Sequence, residues 1–187
     1  MIEIAAAFLT WLGAALVVLA DGRRGLALGL ALLTAGFGVL ALAGGQPAGA
    51  AAVAAGGLIA SARCWRSGNT WGLMPAGSTA RLVLCVASAL LALWVAAAVT
   101  TGPGAPLRFA VLVVIGLMGA RILASRENNV VLTSVACFGL ALAAAPGIGT
   151  PSPGSAPDIL GGLIAAGVMF VPAGPAQGAI KGRAGGG

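Results

Sequence analysis

The chain has 187 residues, 59% of them hydrophobic and only 7% charged, with a net charge of +6. A soluble domain is about a quarter charged, so this chain lacks the polar groups to coat a water-facing surface, and its mean hydropathy of +1.05 points to an integral membrane protein. Histidine is absent, and Cys64, Cys85 and Cys137 form no CxxC pair; this excludes haem held by paired imidazoles, argues against catalytic zinc and dithiol redox chemistry, and leaves no cofactor to expect.

A membrane helix needs about 20 largely apolar residues to cross about 30 Å of hydrocarbon. The first such stretch runs from Ile2 to Ala20 and stops at Asp21-Gly-Arg-Arg24. The second runs from Gly25 to Ala43. The third, Ala48 to Ala62, is short and built largely of Ala and Gly. A polar loop from Arg63 to Thr79 follows. The fourth span is Ala80 to Thr100, the fifth Leu107 to Ser125, and the sixth Asn129 to Ala145. A Pro/Gly/Ser loop, Pro146 to Pro157, leads to a seventh from Asp158 to about Ala173, and the Gly-rich tail 176–187 reads as disordered. Nine of the ten prolines fall between or at the ends of these spans, as expected where an orphaned carbonyl has no water to turn to.

Charge placement supports the count. With the amino end outside, the inner side holds Arg23, Arg24, Arg63, Arg66, Arg81, Arg121, Arg126, Lys181 and Arg183, and the outer side only Arg108. This obeys the positive-inside rule through all seven spans, and omitting the third would put Arg23 and Arg63 on opposite faces. The ten basic residues form no run interleaved with aromatics, so the charge does not point to nucleic acid. Met1-Ile-Glu-Ile has no basic region ahead of the apolar stretch, which argues against a cleaved signal peptide. The predicted fold is all-α: a polytopic bundle of seven transmembrane helices, amino end out, carboxyl end in.

Spans one to three cross, turn on a charged loop, return, and re-enter after a small uncharged loop; spans five to seven do the same. Span four restores orientation, giving a 3+1+3 plan of parallel repeats. The units are 1–62, a loop and linker helix at 63–106, and 107–175. Short matches accompany the plan, Gly36-Phe-Gly-Val-Leu-Ala-Leu-Ala43 against Cys137-Phe-Gly-Leu-Ala-Leu-Ala143, but in an Ala/Leu-rich chain the order of crossings carries the repeat better than the residues do.

Buried ionisable side chains mark ion paths in membranes. Glu3, Asp21, Glu127 and Asp158 all fall at predicted helix ends, within reach of water and head groups, and Arg121, about one turn inside the end of span five, is placed to snorkel. A self-contained proton or sodium pump is therefore not expected. The loop after span three is the most distinctive segment: Trp65 and Trp71 suit the interface, while Arg63, Arg66 and Arg81 suit anionic lipid or an acidic partner, against the plainer reading of an interfacial anchor. Gly25-Leu-Ala-Leu-Gly29 is a GxxxG, and with Gly116 and Gly139 it marks faces for close helix approach. Thr34, Thr133, Ser134 and Asn129 are the polar groups suited to lining a cavity, though such hydroxyls more often bond their own backbone. The cysteines read as small apolar packers.

The stretch Gly116 to Leu142, GLMGARILASRENNVVLTSVACFGLAL, with its Gly-containing helix, its turn through Arg121, Ser125, Arg126, Glu127 and Asn128, and a second helix, resembles the first hairpin of NuoK-type subunits of complex I. Relatives of these occur as component E of group 4 hydrogenases and in cation/proton antiporter complexes. Asp158 opening span seven after a long outer loop also resembles component E. The resemblance covers residues 107–173. It implies a prokaryotic inner or plasma membrane location and, as partners, the bilayer and other membrane subunits of a respiratory or hydrogenase-type, ion-translocating assembly. The buried glutamates of NuoK-type helices are missing, so no catalytic role carries over and a structural member nearer to component E is implied.

The leading expectation is a non-catalytic membrane subunit. The alternative is a small SWEET-type solute carrier, which shares the 3+1+3 plan but whose Pro-Gln motif is absent; Gln46-Pro47 is reversed and lies in an outer loop. A membrane enzyme is disfavoured because no nucleophile sits beside a base or metal set. The topology has a direct test: a reporter fused after Lys181 should be active in the cytoplasm and one at Thr150 outside, and the opposite result at either site means a span is miscounted.

Overall fold

The computed structural model describes residues 1–66, 79–99, 104–125, 127–148, 156–168 and 170, and is helical throughout. Seven α-helices are present among them: α1 (Ile2–Leu19), α2 (Arg23–Ala43), α3 (Pro47–Arg66), α4 (Thr79–Val99), α5 (Ala105–Ala124), α6 (Asn128–Ala144) and α7 (Ala156–Val168), with a 3₁₀ turn at Ala145–Ile148. Four of them, α1, α2, α3 and α5, are long and apolar enough to cross a membrane. The helix described at the seventh stretch is Ala156–Val168, and with Phe170 in a turn it does not reach Ala173. Its 13 residues reach about 20 Å at 1.5 Å per residue.

The ends follow local chemistry. After α2, the Gly45 amide donates to the Leu42 carbonyl and the Gln46 amide to the Ala41 carbonyl, both at 3.0 Å. This is the paired-bond stop that needs a left-handed residue, and Gly45 supplies it at φ +77°. Pro47 then opens α3, where its missing amide costs nothing. The third helix is longer than expected, 20 residues in place of the short apolar stretch. Hydropathy ends a span at its first charge, but Arg is a good helix former and a cation is favoured at a helix carboxyl end. The helix therefore runs on through Arg63, Trp65 and Arg66, which belong to its last turn and not to a loop.

The helices form two rows. Helices α1, α2 and α3 pack in sequence, as do α5, α6 and α7, and the rows face each other with α1 against α5, α2 against α6 and α3 against α7. Helix α4 lies outside, against α5 and α1. Facing helices run the same way: the carboxyl ends of α1 and α5 meet through Ala20 and Arg121, and the amino ends of α3 and α7 through Gly49 and Asp158. The most enclosed large side chains are Phe37, Leu26, Leu30 and Leu33 of α2 and Leu117 and Met118 of α5. Apolar residues also cover the outside, notably Leu90, Leu91, Leu93 and Trp94 on α4 and Leu160 and Leu163 on α7. That distribution suits a surface facing hydrocarbon or another apolar chain.

Glycine sets the spacing between helices. A Cβ on Gly29 would meet the Gly13 carbonyl oxygen at 2.8 Å and the Val17 nitrogen at 2.9 Å, and one on Gly36 would meet the Ala6 carbonyl oxygen at 2.7 Å. In α3, Gly56 lies back to back with Gly162 of α7, and Gly57 receives the Thr34 side chain. Gly25 is buried on α2, and Gly139 faces the Ile164 side chain at 3.1 Å. Gly116 departs from its expected role: nothing lies within 4 Å of where its Cβ would sit, because that side of α5 faces away from both rows.

Substitutions should therefore rank by what the new side chain meets. Gly29→Leu and Gly56→Leu press on backbone and should cost at least the ~1–3 kcal/mol of core overpacking. Gly139→Leu presses on a movable side chain and should cost less, while Gly116→Ala should be neutral or stabilising by up to ~1 kcal/mol. Thermal unfolding in one detergent checks the order; equal losses at Gly29 and Gly116 would refute it.

Candidate functional site

Every charged residue in a described helix falls in a first or last turn or at a cap. Glu3 opens α1, Arg23 and Arg24 open α2, Arg63 and Arg66 close α3, Arg108 is in the first turn of α5 and Arg121 in its last, Glu127 caps α6, and Asp158 is the third residue of α7. Chain direction gathers most of the basic ones at one end, where α1, α3 and α5 finish and α2 and α6 begin. Arg108 lies at the other end.

Arg121 is the centre of this basic end. Its side chain is only 4% exposed, and Nη2 donates to the Ala20 carbonyl at 3.2 Å and to Asp21 Oδ1 at 2.5 Å. The last carbonyls of a helix have no partner within it, and a cation beside them is favoured both by hydrogen bonding and by the helix dipole. The expectation that Arg121 snorkels to the surface is thus overturned: the end of α1 offers it a carbonyl and a carboxylate within hydrogen-bond distance, and the side chain is buried between them. Asp21, expected to face water and head groups, is turned inward to this guanidinium, and its side chain remains 34% exposed.

Cys64 Sγ donates to the Arg23 carbonyl at 3.3 Å and ties the end of α3 to the start of α2. All three cysteines are buried free thiols. The Arg24 guanidinium lies 5.4 Å from the centre of the Trp65 ring and that of Arg63 4.0 Å from the centre of Phe170, both within range for cation–π attraction. Arg66 is exposed beside Trp65. Glu127 and Asn128 are exposed at the start of α6, and Arg81 belongs to the first turn of α4. Trp71, Arg126, Lys181 and Arg183 lie outside the described residues.

At the opposite end, Asp158 is 7% exposed, against the expectation that head groups reach it. Its carboxylate rests on Gly49 in the first turn of α3, in the space a side chain there would fill. Asp158 therefore stands where the amino ends of α3 and α7 converge, and two helix dipoles favour an anion at that point.

The candidate cavity-lining hydroxyls are mostly spoken for. Thr34 Oγ1 donates to the Leu30 carbonyl at 2.7 Å and Thr133 Oγ1 to the Asn129 carbonyl at 2.9 Å, as Thr10 does to Ala6 at 2.9 Å. Ser134 differs: its hydroxyl is buried with no hydrogen-bond partner. Among the described residues, no three His, Cys, Asp or Glu side chains gather in a group suited to a metal ion.

Sequence reasoning missed the Arg121–Asp21 contact, which joins residues 100 apart. It also missed Gly13, Gly36, Gly49, Gly56 and Gly162 as contact points. One signal was present: Gly29 and Gly36, and Gly49 and Gly56, are each seven apart, which puts both on one helix face. Compared with models of known families, with curated proteins and with solved structures, the chain matches none.

The ion pair lies between two regimes. Exposed pairs contribute about 0–1 kcal/mol, whereas removing one partner of a buried pair costs about 3–5 kcal/mol. With one buried and one half-buried member, Asp21→Asn and Arg121→Met should each lose about 2 kcal/mol. A double-mutant cycle read by denaturation in detergent should give a coupling of at least about 1 kcal/mol; additive losses would mean the contact is incidental.

Proposed function

We propose that this chain is a non-catalytic integral membrane subunit that packs and anchors within a larger, ion-translocating respiratory or hydrogenase-type membrane complex. The observation that carries the reading is the confinement of all described charges to helix ends, while the middle of the bundle is filled by glycine crossings and aliphatic side chains. A proton or sodium path through hydrocarbon needs titratable groups at depth, and a subunit without them serves by position. The apolar outer faces of α4 and α7 supply surface for neighbouring subunits as well as for lipid. The NuoK-type and component E resemblance of residues 107–173 agrees with this role, and on it the location is a prokaryotic inner or plasma membrane.

One feature favours the carrier as a second reading. The rows face each other helix for helix and in the same direction, the arrangement that a parallel 3+1+3 duplication would produce. The hydroxyls of Thr10, Thr34 and Thr133 weigh against it, because each spends its one donor on a carbonyl of its own helix.

Purification from native membranes in mild detergent separates the two. A discrete set of membrane companions in fixed ratio is expected, and the isolated chain in liposomes should move neither protons nor sugars. A companion-free protein that transports solute would overturn the subunit reading in favour of the carrier.

A further inference from the structure

Beside the basic end, a groove of about 320 Å³ opens between α2 and α3. Its floor is largely apolar and shallow-walled, formed by Ala27, Leu28 and Ala31 of α2 and by Ala62 and Ser61 of α3, the Ser61 hydroxyl donating to the Leu58 carbonyl at 3.3 Å. Its mouth is different: Trp65 and Arg66 stand there, and Arg24 brings a second guanidinium to the Trp65 ring. Among the described residues, no acidic side chain lines the groove. From Arg24 to Ala31 the groove floor follows α2 for roughly 10 Å at 1.5 Å per residue, the distance from head-group level into the upper acyl region.

We infer that this groove seats one anionic phospholipid, its phosphate at Arg66 and Arg24 and one acyl chain along Ala27, Ala31 and Ala62. The alanines create the space, since any longer side chain at 31 or 62 would fill it. The Trp65 ring borders both parts of such a ligand, apolar on its faces and polar at its edge, as suits the membrane interface. The volume is at the small end of the ~300–1,000 Å³ typical of small-molecule sites, enough for the upper part of one chain. The positive mouth selects the head group: each basic side chain near anionic head groups is worth about fivefold in binding. This inference rests on the chain being a membrane protein and not on which complex it serves.

The test uses Trp65 as its reporter. The full chain with Trp11, Trp71 and Trp94 replaced by Phe is placed in phosphatidylcholine nanodiscs, and brominated phosphatidylglycerol or brominated phosphatidylcholine is titrated in. Phosphatidylglycerol should quench Trp65 at a mole fraction at least about fivefold lower than phosphatidylcholine does. Arg66→Gln should remove most of that preference, and Ala62→Leu should weaken quenching by both lipids. The unmodified chain, released from mixed-lipid nanodiscs into a mass spectrometer, should retain one phosphatidylglycerol. Identical quenching curves for the two lipids, a preference unaltered by Arg66→Gln, or retention of no lipid would overturn the inference.

Discussion

Where α1 crosses α2, and again where α3 crosses α7, backbone meets backbone because Gly13, Gly29, Gly56 and Gly162 carry no side chain to hold the helices apart. Lipid chains are as apolar as leucine, so helices in a bilayer gain little by burying leucine against each other; they gain from close van der Waals approach. The rest of the arrangement follows from that constraint. Small residues occupy the crossings, aliphatic side chains fill what space remains around Phe37 and Leu33, and the surplus of large apolar residues is turned outward on α4 and α7. The result reverses the usual division of a soluble protein, in which the outside is where polar groups go.

Such an interior has no room for hydrated charge, so the ionisable residues collect at the ends. There they take on connecting roles. Arg121 links the carboxyl end of α5 to that of α1, joining the two rows at one end, while Asp158 does so at the other by resting on the glycine at the start of α3. Both contacts place charge against the helix terminus whose dipole favours it. The terminal charges thus add inter-row contacts at the two places where glycine crossings give way to interface.

The same end-placement makes the basic end the surface with the most chemistry. It combines guanidinium groups, two cation–π contacts and an apolar groove within a turn or two of helix. The interior, by contrast, has the hydroxyls of Thr10, Thr34 and Thr133 bonded to their own helices, and among the described residues the buried Ser134 hydroxyl is without a partner. A protein organised in this way acts through what it touches at its ends and outer faces.

Much of this was legible in the residues. Composition pointed to a membrane protein, because 7% charge cannot coat a soluble domain, and apolar runs bounded by prolines and arginines located the helices. Hydropathy misplaced boundaries where helix and apolar stretch part company, as at Arg63–Arg66, since backbone hydrogen bonding continues where hydrophobicity ends. What the chain could not disclose on its own is which distant residues meet. Whether Arg121 snorkels or turns inward depends on the end of α1 lying beside it, and whether Asp158 is wet depends on Gly49 leaving a space. Gly116 and Gly29 look alike in a helix sequence, yet only one faces another backbone. Pattern and propensity act over a few turns of helix, whereas burial is a property of neighbours 100 residues away, and only the packed bundle decides it.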